Sequence, residues 1–125
     1  MRLLLDTHAF LWALDDTSRL TLATRTLLAD EQNDLFVSIA SLWEIGIKVG
    51  TGKLTPQLDW EDYLPRMGAA LLPIQMEHAR EVSRLPQLHR DPFDRMLVAQ
   101  ARVENLILVT GDKHLAEYDV TVLPA

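Results

Sequence analysis

The chain has 125 residues, a net charge of −6 and no cysteine. This length is typical of one domain, and it allows a core that folds without a disulfide or a structural metal. The lack of cysteine excludes a disulfide framework, a thiolate zinc site and a cysteine nucleophile. The acidic charge argues against a broad basic surface for nucleic acid, so such a ligand would need local cations or a bound metal ion.

The N-terminal segment is apolar for only a few residues. Asp6 and His8 interrupt the apolar run too early for the hydrophobic part of a signal peptide. No stretch approaches the ~20 apolar residues that a membrane helix needs. We therefore expect one domain over residues 1–125, located in the cytoplasm and without a membrane partner.

Short apolar runs alternate with helical patterns, which predicts an α/β fold with a mainly parallel central sheet flanked by helices. In chain order, the first half is predicted to contain a strand at 2–5, helices at 7–14 and 21–30, a strand at 34–37, and helices at 39–49 and 59–67. The second half is predicted to contain a strand at 71–73, a helix at 75–84, a loop at 85–90, a helix from 91 to about 104, a strand at 107–109, a short helix at 113–118 and a strand at 120–122.

Two acidic residues follow predicted strands. Asp6 comes directly after the first strand, and Asp112 follows the strand at 107–109 through Thr110 and Gly111. Each can cap the helix that follows it, and for either residue alone a cap is the favoured interpretation. If the two strands are parallel neighbours, both carboxylates emerge at the same edge of the sheet, where ligands bind in open α/β folds.

Asp94 lies in the first turn of the predicted helix that Asp91 and Pro92 begin, where the helix dipole favours an acid. Residues three, four and seven positions later share its face of the helix, and they are Leu97, Val98 and Ala101. The Asp94 carboxylate is therefore predicted to point inwards. A buried acid is costly unless another group satisfies its charge.

Glu44 lies in the middle of a predicted helix and is the least cap-like of these acids. Its simplest interpretation is an ion pair with Lys48, four residues later, worth ~0.2–0.5 kcal/mol. The apolar residues at 43, 45 and 47 are expected to shield it partly. Each of these positions is a weak signal by itself, but acids at two strand ends and on two apolar helices together favour a shared site of Asp6, Glu44, Asp94 and Asp112 over separate caps and an ion pair.

Four segments of the chain resemble the PIN-domain ribonucleases, and most closely the VapC-type toxins of bacterial toxin–antitoxin pairs. They are MRLLLDTHAFLWAL at 1–14, SIASLWEIGIKVGTGKL at 38–54, HRDPFDRMLVAQA at 89–101 and LVTGDKHL at 108–115, in the order that the family keeps. The resemblance implies a three-layer α/β fold with a metal-dependent ribonuclease site at the carboxyl edge of a parallel sheet. It also implies a homodimer that a small cognate antitoxin protein silences.

The acids of this family match four positions of the chain. Asp6 matches the acid after the first strand, Glu44 the helix glutamate, and Asp94 the third acid. Asp112 matches the fourth acid, a position that varies within the family. We interpret Asp91, a further acid nearby, as the helix cap. The resemblance implies that the four acids bind Mg²⁺ or Mn²⁺, ions that suit carboxylate oxygens, and that the site cleaves RNA.

Other residues near the acidic segments are weaker candidates. Five cations are possible phosphate contacts, although each is more often a solvated surface charge: Lys48, Lys53, Arg90, Arg95 and Lys113. Three tryptophans are possible base-stacking residues, although they are more often core or dimer residues: Trp12, Trp43 and Trp60. The histidines show no metal-site spacing, and we interpret His8, which is close to Asp6, as an ordinary helix residue.

Three alternative functions stay open at this point. A stand-alone RNA-processing nuclease would use the same acids without an antitoxin. A non-catalytic module that binds protein or RNA would keep the acids as remnants, but the retention of all four argues against it. A phosphatase of the haloacid dehalogenase type would need Asp-x-Asp after the first strand, where this chain has Asp6-Thr7-His8.

Overall fold

A five-stranded sheet lies at the centre of the computed structural model, which describes residues 1–55 and 59–125. Its strands are β1 (Arg2–Leu5), β2 (Asp34–Ser38), β3 (Ala69–Leu72), β4 (Ile107–Thr110) and β5 (Val122–Pro124). They lie in the order β3-β2-β1-β4-β5, and every neighbouring pair is parallel. The three-layer α/β class expected from the sequence is confirmed.

Helices cover both faces of the sheet. The six α-helices of the described residues are α1 (Thr7–Asp15), α2 (Leu22–Ala29), α3 (Ile39–Gly50), α4 (Trp60–Arg66), α5 (Met76–Arg84) and α6 (Pro92–Glu104). Two short 3₁₀ helices lie at Thr17–Arg19 and Lys113–Glu117. Within the part of the chain that the structure describes, none of the helices has the length and apolar content of a membrane span.

The side chains of β1 alternate between two apolar clusters. Leu3 and Leu5 pack against the layer that contains Phe10 of α1, whereas Leu4 packs against Leu97 on α6. All of these side chains are fully buried. Both faces of a parallel sheet are normally covered, and this explains why the first strand is a continuous run of leucine rather than an alternating pattern.

The position of β1 between β2 and β4 brings the ends of three strands together. Leu5 is in register with Val37 of β2 and with Val109 of β4. The backbone N–H of Asp6 donates to the carbonyl oxygen of Val109 at 3.0 Å. The expectation that the strands preceding Asp6 and Asp112 are parallel neighbours is therefore confirmed.

Two short strands differ from their predicted bounds. β3 begins at Ala69, earlier than the predicted segment at 71–73, and it ends before Pro73, which has no N–H for a strand ladder. β5 lies two residues after the predicted segment at 120–122, because Val122 is in register with Leu108 of β4. Short apolar segments do not show where pairing begins, since the neighbouring strand sets the register.

The structure also differs from the prediction in two short helical segments. The helix predicted at 113–118 is a 3₁₀ helix at Lys113–Glu117, and the 3₁₀ helix at Thr17–Arg19 was not predicted. Such single turns are held by a few local hydrogen bonds and have no long apolar period, so sequence patterns detect them poorly.

Candidate active site

Asp6 both caps α1 and lies at the carboxyl end of β1. Its Oδ1 accepts a hydrogen bond from the Ala9 N–H at 2.8 Å, and its Oδ2 accepts one from Thr110 Oγ1 at 2.5 Å. The side chain is buried, and this burial raises the pKa of Asp6, although the hydrogen bonds from Thr110 and Ala9 act in the opposite direction. The helix-cap interpretation is therefore confirmed, and the same carboxylate lines the cavity described below.

Each carboxylate oxygen of Glu44 has a partner from a neighbouring side chain. Thr7 Oγ1 donates to Glu44 Oε1 at 2.6 Å, and Lys48 Nζ lies 3.1 Å from Glu44 Oε2. The predicted ion pair is present, but the carboxylate is also buried and lies beside α1. The expected shielding of Glu44 is therefore present, although Trp43 and Ile47 themselves are exposed by 61% and 45%.

Asp94 is the most strongly perturbed acid of the site. Asp91 caps α6, with its Oδ1 accepting hydrogen bonds from the N–H groups of Phe93 and Asp94, as the sequence predicts. The Asp94 side chain lies on the stripe that buries Leu97 and Val98. Burial, followed by the negative charges of Asp91, Asp6 and Glu44, raises the pKa of Asp94 to about 7.

Asp112 follows β4 and caps the second 3₁₀ helix through a hydrogen bond from the His114 N–H to Oδ1 at 2.9 Å. Its Oδ2 lies 3.0 Å from Nε2 of His89. Burial alone would raise the pKa of Asp112, but the hydrogen bonds from His114 and His89 outweigh it and lower that pKa. The pKa of Asp112 is thus shifted in the opposite direction to the pKa values of Asp6 and Asp94.

One cavity of about 410 Å³ brings the four predicted acids together. Its lining consists of Asp6, Thr7, His8, Trp12, Glu44, Asp91, Asp94, Gly111 and Asp112. The acids come from the ends of two strands, β1 and β4, and from two helices, α3 and α6. The fold therefore gathers four carboxylates that are far apart in the sequence.

His89 lies beside this cluster, and sequence reasoning did not select it. One ligand atom from each of His89, Asp94 and Asp112 lies within 4.8 Å of the others. His89 is 23 residues from Asp112 in the chain, so no short metal-binding spacing marks the pair. The only sequence signal was its place at the start of the segment HRDPFD.

Arg95 was one of the possible phosphate contacts in the sequence analysis, and the structure shows that this prediction is wrong. Its side chain is buried, and its guanidinium donates to the carbonyl oxygen of Pro86 at 2.9 Å and to the Tyr118 hydroxyl at 3.1 Å. The charge is used inside the protein, between α5 and α6. The other exposed candidates lie at the surface, namely Lys53, Arg90 and Lys113.

The three tryptophans lie in different environments. Trp12 lines the acidic cavity, where its ring stacks on His8 with centroids 6.0 Å apart. Trp43 is exposed and packs edge-on against Phe93. Trp60 is partly buried against the core, and its Nε1 has no hydrogen-bond partner among the described residues. Trp12 is therefore the tryptophan placed to contact a ligand of the cavity.

The donor set fits a divalent cation. Carboxylate oxygens are hard ligands that suit Mg²⁺ and Mn²⁺, whereas an imidazole nitrogen suits ions of the first transition series better than it suits Mg²⁺. Unit charges ~4 Å apart repel by about 4 kcal/mol at an effective dielectric constant of 20, so clustered carboxylates favour either protonation or a bound cation. Burial first, and then this repulsion, raise the pKa of Asp94.

The sequence also matches the PIN domain family over residues 3–120, nearly the whole chain. The chain belongs to the PIN-domain family. Among solved structures, this PIN domain is similar to a chain of VapBC2 from Rickettsia felis, a complex bound to a DNA fragment from its promoter. The identity is 18%, the coverage is 100% of this chain and 99% of that chain, and the TM-score is 0.74.

Two further structures show the same likeness. A chain of DNA-bound VapBC from Salmonella typhimurium is 15% identical, with coverage of 99% and 98% and a TM-score of 0.72. A chain of FitAcB from Neisseria gonorrhoeae is 18% identical, with coverage of 97% and 96% and a TM-score of 0.64. At these identities the likeness is one of fold. No curated protein matches this PIN domain in sequence.

Proposed function

We propose that this PIN domain is a metal-dependent ribonuclease and the toxin of a toxin–antitoxin pair. The observation that carries the proposal is the cavity in which Asp6, Glu44, Asp94 and Asp112 meet. An array of carboxylates, of which Asp6 and Glu44 are buried, stabilises no fold by itself, because the charges repel. Such an array is useful when it holds a cation, and a cation in a cavity open to ligands can bind a phosphodiester.

In this proposal the acids hold Mg²⁺ or Mn²⁺, with Asp6 and Asp94 as the principal ligands and Asp112 beside them. Bound metal would neutralise the scissile phosphate and lower the pKa of an attacking water. Glu44 would bind metal directly or through water, or orient the attacking water. Thr7 fixes the Glu44 carboxylate, so that it is ordered before a substrate arrives.

The surroundings of the cavity support RNA as the substrate in spite of the acidic net charge. Trp12 presents an aromatic ring in the cavity wall, a surface on which an unpaired base can stack. Arg90 and Lys113 are exposed and close in sequence to Asp94 and Asp112. These local cations would bind phosphates next to the metal, where the net charge of the whole chain matters less.

A protein partner is supported by the surface as well as by the similar structures. VapBC2 of Rickettsia felis is bound to a DNA fragment from its promoter, and VapBC of Salmonella typhimurium is also bound to DNA. In this chain Trp43 and Ile47 are one turn apart on α3 and both are exposed. Neighbouring exposed apolar residues are typical of protein interfaces. We propose a homodimer and a cognate antitoxin as the partners that cover such surfaces.

The decisive experiment compares wild type with Asp94→Asn on RNA, with Mg²⁺ or Mn²⁺ and with a chelator. We expect cleavage by wild type to need metal and to fall by more than about 100-fold in the variant, as is usual when a charge-stabilising group is lost. Asp15→Asn, an exposed acid outside the cavity, is the matched control and should retain activity. Equal cleavage by wild type and Asp94→Asn would rule out this site.

A stability measurement separates metal binding from catalysis. An ion at about 100 times its Kd stabilises the folded state by about 2.7 kcal/mol, so metal should raise the melting temperature of wild type. The rise should be smaller for Asp94→Asn and unchanged for Asp15→Asn. If millimolar Mg²⁺ or Mn²⁺ leaves the melting temperature of wild type unchanged, the proposed metal site is contradicted.

The toxin role has its own test. Expression of the chain should inhibit growth, and the product of a short reading frame beside its gene should bind the chain and suppress the inhibition. If the chain cleaves RNA but has no such suppressor, it is a stand-alone ribonuclease. Light scattering of the isolated chain would show whether it is the proposed homodimer.

A further inference from the structure

His89 is the histidine whose ring nitrogen is directed at the acids of the cavity. Its Nε2 lies 3.0 Å from Asp112 Oδ2, and its charge acts on Asp94 as well. The side chain is 24% exposed, so it lies at the mouth of the site rather than in the core. His89 lies two residues before Asp91, the residue that caps α6.

The other three histidines have different environments. His8 lines the cavity, but its ring stacks on Trp12. His78 is fully buried, and its Nε2 contacts Glu104 at 2.9 Å. His114 is 66% exposed, and its Nδ1 faces Glu117 at 3.5 Å. All four histidines lie in the described residues, and His89 is the one that shares a cluster of potential ligand atoms with two of the acids.

The spacing of that cluster is close to that of a coordination sphere. Ligand atoms from His89, Asp94 and Asp112 lie within 4.8 Å of one another. With bonds of ~2.1 Å in an octahedral sphere, adjacent ligand atoms lie ~3.0 Å apart and opposite ones ~4.2 Å apart. The 3.0 Å between His89 Nε2 and Asp112 Oδ2 already matches an adjacent pair, so a shift of Asp94 relative to that pair, by about 2 Å or less, would complete the position.

We propose that His89 is a nitrogen ligand in the metal centre, forming with Asp94 and Asp112 a mixed nitrogen–oxygen position that favours Mn²⁺ over Mg²⁺. This inference rests on the proposed function and deepens it. Mg²⁺ strongly prefers oxygen ligands, whereas first-row transition ions accept imidazole. On binding, an Nε2 lone pair replaces the His89–Asp112 hydrogen bond, and the ring hydrogen is carried on Nδ1.

The competing role is that of a positioning residue. In that case His89 would only donate a hydrogen bond to Asp112 and hold the carboxylate towards the ion, as partners of metal ligands often do. Both roles predict weaker metal binding when His89 is replaced. They differ in whether the imidazole nitrogen is bonded to the ion, so the experiment must detect that bond directly.

Pulsed electron paramagnetic resonance of the Mn²⁺-loaded full chain detects it. We expect a ¹⁴N coupling from a bound imidazole in wild type, replaced by the ¹⁵N pattern when the chain is made with ¹⁵N-labelled histidine. The coupling should vanish in His89→Gln and persist in His8→Gln and His114→Gln. If His89→Gln fails to fold, the labelled wild-type chain still shows whether a histidine is bound, and a coupling that persists in His8→Gln and His114→Gln assigns it to His89.

Calorimetry measures the selectivity. His89→Gln should weaken Mn²⁺ binding about tenfold and Mg²⁺ binding by less than about threefold. Equal weakening for the two ions would overturn the selectivity. Bound Mn²⁺ without histidine coupling, or a coupling that survives in His89→Gln, would overturn the ligand role and leave an oxygen-only metal centre. Mn²⁺ that fails to bind, or binds wild type and Asp94→Asn equally, would overturn the metal centre itself.

Discussion

Asp94 and Arg95 are neighbours on α6, but their charges lie in opposite environments. The Arg95 guanidinium is surrounded by acceptors, and it donates to the carbonyl oxygens of Val82 at 3.2 Å and Pro86 at 2.9 Å and to the hydroxyl of Tyr118. These carbonyls belong to the end of α5 and the loop after it, where the helix dipole favours a cation. The fold therefore satisfies the charge of Arg95 completely within the chain.

The Asp94 carboxylate has neighbours of its own sign instead. Asp91, Asp6 and Glu44 add to the effect of burial in raising its pKa to about 7, and His89 acts in the opposite direction. A charge that the chain satisfies contributes to structure. A set of like charges that the chain leaves uncompensated stabilises the protein only when a ligand arrives. The difference between these two adjacent residues is the clearest physical indication of where the function lies.

The largest change in stability that we expect from this comparison follows the replacement of Arg95. Replacement by leucine would leave the carbonyl groups at the end of α5 without their donor in a buried region. Hydrogen bonds to charged groups contribute about 1.5–3 kcal/mol each, so Arg95→Leu should lower the free energy of unfolding by about 3 kcal/mol. Urea unfolding measures this value.

The matched control for this experiment is Arg84→Leu. Arg84 also lies near the end of α5, but its side chain is 69% exposed and its contact with Glu81 is long, at 3.7 Å. Its replacement should change the unfolding free energy by less than about 0.5 kcal/mol. If Arg95→Leu were equally mild, and lost RNA cleavage instead, then Arg95 would belong to the site and the comparison would fail.

The sequence was sufficient to predict the layers for a physical reason, and it placed two acids at strand ends, whereas the choice of Glu44 rested mainly on the resemblance to the PIN domains. Continuous apolar runs such as Arg2–Leu5 occur where both faces of a parallel sheet are covered, and carboxyl ends of parallel strands share one edge. The helical period placed Asp94 on the buried stripe of α6. These patterns depend only on residues that are close in the sequence, so they can be recognised before any tertiary contact is known.

The order of the strands, the role of Arg95 and the position of His89 could not be predicted in this way. The strands have similar apolar character, so the order depends on long-range packing. The contacts of Arg95 require the carbonyl groups after Val82 to converge on it, which depends on how α5 and α6 cross. His89 meets Asp112 across 23 residues and two elements, with no spacing rule to connect them.

A smaller effect is expected from Asp94→Asn in metal-free buffer, through its pH dependence. The Asp94 pKa is about 7 in the folded protein and about 4 when unfolded. Between these values the unfolded chain releases the proton first, so the stability of wild type falls as pH rises from about 4 to 7. After allowance for the partial exposure of this side chain, the total loss should be about 1–2 kcal/mol.

The variant lacks this titration, and the difference between the two proteins is the measurement. Asp94→Asn and wild type should have similar unfolding free energies near pH 4, and the variant should be more stable above about pH 8. Asp15→Asn, whose carboxylate is exposed, should show no such divergence. A difference that is constant with pH would mean that the charge of Asp94 is already compensated, as that of Arg95 is.

The smallest expected effect concerns Lys48, which is the cation bonded to an acid of the cavity. Its Nζ lies 3.1 Å from Glu44, but its side chain is 31% exposed, and Glu44 is also held by Thr7. Partly exposed pairs of this spacing contribute about 0.5 kcal/mol or less, so Lys48→Gln should lower the metal-free unfolding free energy by no more than that. Added Mg²⁺ or Mn²⁺ should then stabilise the variant as much as wild type. A loss above about 2 kcal/mol would show that Lys48 compensates the acids from within the chain, and the cavity would no longer need a cation from solution.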